Sequence, residues 1–258
     1  MIRLLFVCLF CVCCFGGEVK AQGLSHLLDS CYQFLEKGDM ASFNDNYVKI
    51  LDAYEADYNP EYYHLEKELT QMRVKDQSIR LLLLDAQKRD KPVSKIREIM
   101  KAIDRVNAHR VMEIIDQYGW LSPDDIGYEA NEALFLCVQH AEDSIIQNKC
   151  LPILEEAVKE GNAEGWQYAF LTDRCLMNQG ETQIYGTQRI LRDGVYYLVP
   201  IQDIDRVDSL REALGLEPLE EYMEDSGLEA GWSKDYYKNN IGLHESVFDS
   251  WYKKRKGK

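Results

Sequence analysis

The sequence predicts a mainly α protein: a helical array or bundle that carries one small β-hairpin in its C-terminal half. Three observations predict it. Apolar residues recur at intervals of three and four through most of residues 24–178, the spacing of one helix face. Glycines stand just past several of these runs, where a helix ends in a left-handed residue. One Asp-Gly pair, Asp193-Gly194, lies between two short β-type runs and signals a hairpin turn.

In chain order, Leu24, Leu27, Leu28, Cys31, Phe34 and Leu35 predict a helix closed by Gly38. Phe43, Tyr47, Ile50, Leu51 and Tyr54 predict a second over 40–57, ended by Asn59-Pro60. The two form a helical hairpin, and no second copy of it follows, which argues against a repeat array. Leu65, Leu69, Met72, Ile79 and Leu83 place a helix over 61–88. Pro92 suits the first turn of the next, whose apolar positions are Ile96, Ile99, Ile103, Val106, Val111 and Ile115, with Gly119 terminating it. Trp120-Leu121-Ser122-Pro123 reads as a connecting turn, and helices follow over 128–140, 143–160 and 165–178, the last two stopped by Gly161 and Gly180. Residues 183–191 and 195–198 read as strands, and Asp203 or Asp205 as the cap of a helix reaching Leu214. Residues 217–258 hold short helical pieces with little period.

Residues 1–21 read as a signal peptide. Arg3 supplies the positive region, Leu4 to Phe15 an apolar stretch too short to span a bilayer, and Val19-Lys20-Ala21 a cleavage site. The cysteines at 8, 11, 13 and 14 lack the small preceding residue that a lipoprotein signal usually has. The expected location is therefore periplasmic or secreted, with no stable membrane insertion after cleavage. The remaining organisation is an N-terminal helical hairpin over 22–58, a main helical domain with the β-hairpin over 59–225, and a C-terminal extension over 226–258 with a basic tail. Removing Arg3, Glu18 and Lys20 takes the formal charge from −14 to −15. Such an acidic chain favours solubility and argues against a nucleic-acid partner. The run Lys253-Lys254-Arg255-Lys256-Gly257-Lys258 is the exception and reads as a solvated, frayed tail. Cys31, Cys137, Cys150 and Cys175 remain, too scattered for a disulfide scaffold, and no Cys/His spacing suits structural zinc. No metal site and no cofactor is expected. Walker, GxGxxG, GxSxG and HExxH patterns are all absent from the sequence.

Polar residues gather in four places. Arg73, Asp76, Gln77 and Arg80 share one helix face, as a solvated stripe or as an arginine wall for an anion. Gln139-His140 lies where two helices meet. His140 is either a general base held by a carboxylate or a histidine that satisfies helix carbonyls, and Gln147 lies one turn on. Asp173-Arg174 interrupts an apolar helix, either as a buried ion pair or as an acid/base carboxylate beside an anion clamp. Gln183-Ile184-Tyr185-Gly186-Thr187-Gln188 is the densest polar segment, with more fixed donors and acceptors than a turn requires.

These segments carry a resemblance. Asp76-Gln77 with Arg80, Tyr118-Gly119-Trp120, Gln139-His140-Ala141 to Gln147, and Leu151-Pro152-Ile153-Leu154 are its first half. Leu171-Thr172-Asp173-Arg174, Gln183 to Gln188, Val207-Asp208 to Arg211 and Leu214-Gly215-Leu216 are its second. Together they resemble the bacterial family called domain of unknown function 6624, over roughly 60–225. Leu121 stands where the family pattern has proline after the tryptophan. The resemblance implies no activity, substrate or cofactor, but it implies that these polar positions recur together. Polar residues recurring in loops and at helix ends mark a site more often than packing. The expected site takes His140, Asp173 and Tyr185 as acid/base groups, with Asp76, Gln77, Arg80, Gln139, Gln147, Arg174, Gln183, Thr187 and Gln188 holding a ligand. The expected partner is a small molecule or a protein, and hydrolysis is the default reaction class. The competing expectation is an interaction or structural module in which the same residues form a buried polar network.

Overall fold

A computed structural model describes residues 22–58, 61–225 and 232–257 of the chain. Residues 1–21, expected to be a signal peptide, and residues 226–231, at the start of the expected C-terminal extension, lie outside the described residues. The chain divides into two compact units at Tyr63/His64.

The first unit consists of α1 (Gln22–Lys37), α2 (Met40–Tyr47) and α3 (Ile50–Tyr58), with α1 packed against both others. Asp39 caps α2 by accepting from the Ser42 amide. The single helix expected over 40–57 is broken at Val48-Lys49. The break follows Asn44-Asp45-Asn46, and the Asn46 side chain takes the Ser42 carbonyl at 2.7 Å, local competition of the kind that loosens a helix.

The second unit begins with α4 (Tyr63–Lys88), α5 (Ser94–Tyr118), α6 (Pro123–Gln139), α7 (Ser144–Glu160) and α8 (Gly165–Gln179). It continues through β1 (Arg189–Arg192), β2 (Val195–Leu198), α9 (Val207–Glu212), α10 (Leu219–Asp225), α11 (Lys234–Asn239) and α12 (Ile241–Lys256). Helix α6 sits centrally against α5, α7 and α8, while α12 packs on the hairpin. The buried residues of α6, among them Ala130, Ala133, Leu134, Phe135, Cys137 and Val138, form a nearly continuous apolar surface.

Local chemistry explains the boundaries. Ser122 and Asp125 form a reciprocal capping box at the start of α6 with Pro123 in its first turn, so the expected connecting turn already contains helix. Gly127, at φ 76°, separates that turn from the rest. Asp143 caps α7, and Gly161 and Gly180 close α7 and α8 in the left-handed conformation. The buried face of α5 differs from the expected one: it runs through Asp104, Asn107, Ala108, Val111, Ile114 and Ile115, while Ile99 and Val106 are exposed. Arg206, not an aspartate, stands at the N-cap of α9, although Asp203 accepts from the Arg206 amide just before it.

Strands β1 and β2 pair antiparallel, Arg189 opposite Leu198 and Arg192 opposite Val195. Asp193 and Gly194 turn between them with φ values of 53° and 83°, as a tight two-residue hairpin requires. The first strand is shorter than expected, because residues 183–188 form a loop ahead of it. Lys253 to Lys256 of the basic run form the last turn of α12 rather than a frayed tail, and Lys258 lies outside the described residues. Arg255 lies 5.5 Å from the Trp251 ring centre and Lys256 5.1 Å from that of Tyr252. Cations in a last turn also suit the helix dipole. Among the described residues no helix is long and apolar enough to cross a membrane, and no group of three His, Cys, Asp or Glu side chains could hold a metal ion.

Candidate functional site

Helix α8 carries two consecutive charges with opposite fates. Asp173 points inward and is fully buried. Its Oδ1 accepts from the amides of Ile184 at 2.7 Å and Tyr185 at 3.0 Å; its Oδ2 accepts from the Thr187 amide at 3.0 Å and the Thr187 hydroxyl at 2.9 Å. Burial lifts the carboxyl above the ordinary aspartate value, while the donors from Thr187, Tyr185 and Ile184 pull it back. These amides can only donate, so the geometry suits the ionised form. It also explains why residues 184–188 do not extend β1: the Ile184, Tyr185 and Thr187 amides are spent on the carboxylate and the Gln188 amide on the Gln183 side chain, so they cannot serve a ladder. Gly186 sits in this loop at φ 75°, where a Cβ would lie 2.7 Å from Leu219. Gln183 locks the loop from the other side, its Nε2 donating to the Gln188 and Val199 carbonyls and its Oε1 accepting from the Gln188 amide. Buried Arg211 holds the Tyr185 carbonyl at 2.8 Å and lies 4.7 Å from the Tyr222 ring centre.

A second buried carboxylate organises the α4–α6 contact. Asp76 accepts from Arg80 at 2.8 Å and from Gln77 at 2.7 Å, and its Oδ1 lies 3.0 Å from Nδ1 of His140, the residue that caps α6. Arg80 also bridges to buried Asp104 of α5 at 2.9 Å. Burial holds His140 below its ordinary value of 6.5; Asp76 opposes that shift, and Arg80 and Arg174 reinforce it. The neutral ring is therefore the resting form. With Asp76 able only to accept, the proton sits on Nδ1 and Nε2 keeps a lone pair. Nε2 has no hydrogen-bond partner among the described residues, and the side chain is 20% exposed.

His140 lines a cleft of about 340 Å³, within the range usual for small-molecule sites. One wall is aromatic: Phe135, Trp166, Phe170 and Tyr222 meet edge to face, with successive ring centres 4.9, 5.9 and 6.3 Å apart. The polar part of the lining holds His140, Arg174, Gln139, Thr187 and Gln188. Arg174 is half-buried, and its guanidinium has no hydrogen bond or ion pair among the described residues. Burial, with Arg255 and Arg80 nearby, pushes it down to about 10. Glu132, also at the cleft, is held by Arg73 at 2.5 Å.

Residues 63–232, about two thirds of the chain, match the family described as Family of unknown function (DUF6624). The chain belongs to the DUF6624 family. No curated protein and no solved structure matches it.

The polar positions of this DUF6624 chain separate into two sets. His140, Gln139, Arg174, Thr187 and Gln188 line the cleft, with Asp76, Gln77 and Arg80 immediately behind His140. Asp173, Tyr185, Gln183 and Gln147 do not line it. Asp173 and Gln183 are committed to backbone. Tyr185 contributes its amide and carbonyl, and its ring packs on Tyr168. Gln147 straps the α6–α7 turn, its Nε2 donating to the Gln139 and Ala141 carbonyls. Sequence reasoning missed Asp104, Arg211 and the aromatic wall. Asp104 had a signal, because it shares a face with Ala108, Val111 and Ile115, and an acid on an apolar face needs a partner. The aromatic residues had none, being spread over α6, α8 and α10.

Replacing Asp173 with Asn puts an amide N–H against backbone donors. Asp173→Asn is expected to lose about 3 kcal/mol or more of stability and Thr187→Val about 1 kcal/mol in urea unfolding. A loss below about 1 kcal/mol for Asp173→Asn would remove the carboxylate from its anchoring role.

Proposed function

We propose that this chain binds a small anionic molecule in the α6–α8 cleft, with Arg174 holding the anion and the Asp76–His140 pair serving as a general base. The observation that carries the reading is Arg174. In a chain of formal charge −14 with 44 acidic residues, a half-buried guanidinium stands without an acid partner and with two other arginines near it. Unpaired buried cations cost stability, and an arrangement that costs stability without packing benefit is typical of a site that waits for a ligand. His140 supports a hydrolytic version. Nε2 would take a proton from a water as its oxygen bonds to an acyl carbon, and would return that proton to the departing group.

Export is part of the same proposal, with Ala21 as the last residue removed. The buried, unpaired cysteines are compatible with an oxidising compartment. Burial pushes Cys150 up to about 12 and Cys175 up to about 11, so the reactive thiolate is scarce. The intact mass of the protein recovered outside the cytoplasm should correspond to a chain starting at Gln22; a full-length mass there would defeat the cleavage reading.

Arg174→Met keeps the apolar stem and removes the unpaired charge. The unliganded variant is expected to melt at the same temperature as the parent or higher, and to lose the thermal shifts that small carboxylates and phosphates give the parent. A variant that melts several degrees lower would instead favour the structural network.

The histidine is tested through stability. A folded-state value below 6.5 means that the unfolded chain binds the proton more readily as pH falls, so the neutral-histidine contribution is full above 6.5 and is lost as pH drops below it. The stability difference between the parent and His140→Gln is therefore expected to be flat above pH 6.5 and to shift against the parent below it. A difference that grows as pH rises above 6.5 would contradict a neutral His140.

A further inference from the structure

The two glutamines of the cleft say more about the ligand. Gln139 donates its Nε2 to the Phe170 carbonyl at 3.4 Å, and Gln188 donates its Nε2 to the same carbonyl at 3.3 Å. Gln188 also donates to the Thr187 hydroxyl at 2.9 Å. A carbonyl oxygen can only accept, which fixes both amide groups with their nitrogens toward Phe170 and leaves Oε1 as the uncommitted end. Neither oxygen accepts a hydrogen bond among the described residues. That of Gln139 is fully buried while the whole residue is only 4% exposed. With His140 Nε2, the polar wall thus offers three acceptors and a single uncommitted cation.

Those groups define a complementary molecule. Three acceptors need N–H or O–H donors, and one guanidinium needs one negative charge. The donors cannot be an ammonium group: Arg80 and Arg174 both lie near His140, and the nearest acid in the lining, Glu132, is already neutralised by Arg73. Uncharged donors such as amide N–H groups meet the acceptors without opposing that field. The edge-to-face rings take a planar or bulky apolar group, for which aromatic side chains are the natural match. A lone guanidinium suits a monoanion better than a dianionic phosphate, because Arg80 is shared between Asp76 and Asp104 and Arg189 lies 5.3 Å from the Tyr196 ring centre.

We infer that the ligand is an N-acylated amino acid or the C-terminal residue of a short peptide. Its carboxylate goes to Arg174, its single amide N–H to one of the two glutamine oxygens, with water on the remaining acceptors, and an aromatic or large apolar side chain to the Trp166–Phe170–Tyr222 wall. This rests on the anion-pocket reading above and narrows it to one chemical class. The cleft volume limits the bound part to about one residue with its acyl group.

Calorimetric titration of the full processed chain at neutral pH with four probes tests this without any variant. The probes are N-acetyl-L-phenylalanine, its uncharged carboxamide, 3-phenylpropionate and adenosine 5′-monophosphate. The expected result is binding of N-acetyl-L-phenylalanine at least about tenfold tighter than each of the other three, the loss that an unmet buried acceptor or an absent charge produces. Equal binding of 3-phenylpropionate overturns the amide-donor inference while the anion pocket stands. Equal binding of the carboxamide overturns the anion pocket and the carboxylate assignment with it. Preference for the nucleotide overturns the carboxylate class in favour of a phosphate. No binding of any probe up to about 10 mM overturns the class assignment, and the anion pocket is then judged by the Arg174→Met melting behaviour.

Discussion

The Asp173 carboxylate is the interaction on which the arrangement of the site depends. A six-residue polar segment has no internal reason to hold one conformation, and its own side chains compete for its backbone. Four donors gathered by one buried acid remove that freedom. The consequence reaches past the loop itself: Thr187 and Gln188 are presented to the cleft, the Tyr185 carbonyl turns toward Arg211, and β1 cannot start before Arg189. Because Asp173 faces the loop, Arg174, one residue or about 100° further around the helix, must face elsewhere. The same turn of α8 therefore builds the scaffold with one charge and the cleft with the next.

Asp76 does comparable work between helices. A buried carboxylate that accepts from Arg80, Gln77 and His140 joins α4 to the end of α6, and Arg80 extends the chain to Asp104 on α5. Two acids share one arginine, and a histidine completes the shell of one of them. Such a cluster is stable only if every member is satisfied, because removing one leaves a buried charge exposed to a low dielectric. The arrangement also orients the imidazole. With Nδ1 tied to Asp76 and the ring at a helix end, Nε2 has one direction to point.

How much of this was legible in the sequence follows from what periodicity can carry. The helices from α4 to α8 were readable because their apolar stripes, Asp143 as a cap, and Gly119, Gly161 and Gly180 as stops are local signals. The Asp193-Gly194 turn was readable for the same reason. The break after Asn46 and the conversion of 183–188 from strand to loop were not, since the first depends on side-chain competition and the second on an acid ten residues upstream. The polar site positions were visible as residue types, whereas their division was not. Nothing local distinguishes Asp173 from Arg174, or Gln183 from Gln188. The difference lies in which direction each faces once α8 and the hairpin are packed.

That division bears on the choice between a pocket and a structural network. A network explains residues whose hydrogen-bonding capacity is used up, and it accounts for Asp173, Gln183 and Gln147. It does not account for a guanidinium with no acid, an imidazole nitrogen with no donor and two carboxamide oxygens left unbonded beside a ring of aromatic edges. Folding alone would be served better by apolar residues at those places, since a buried polar group without a partner costs free energy and an apolar one of similar volume does not. At the cleft the unspent capacity among the described residues comprises three acceptors and one cation, whereas the other unsatisfied polar atoms, such as the Asn107 amide, the Trp120 and Trp232 indoles and the Asn178 oxygen, do not line it. A surface of that composition asks for a particular complement, and the protein does not supply it.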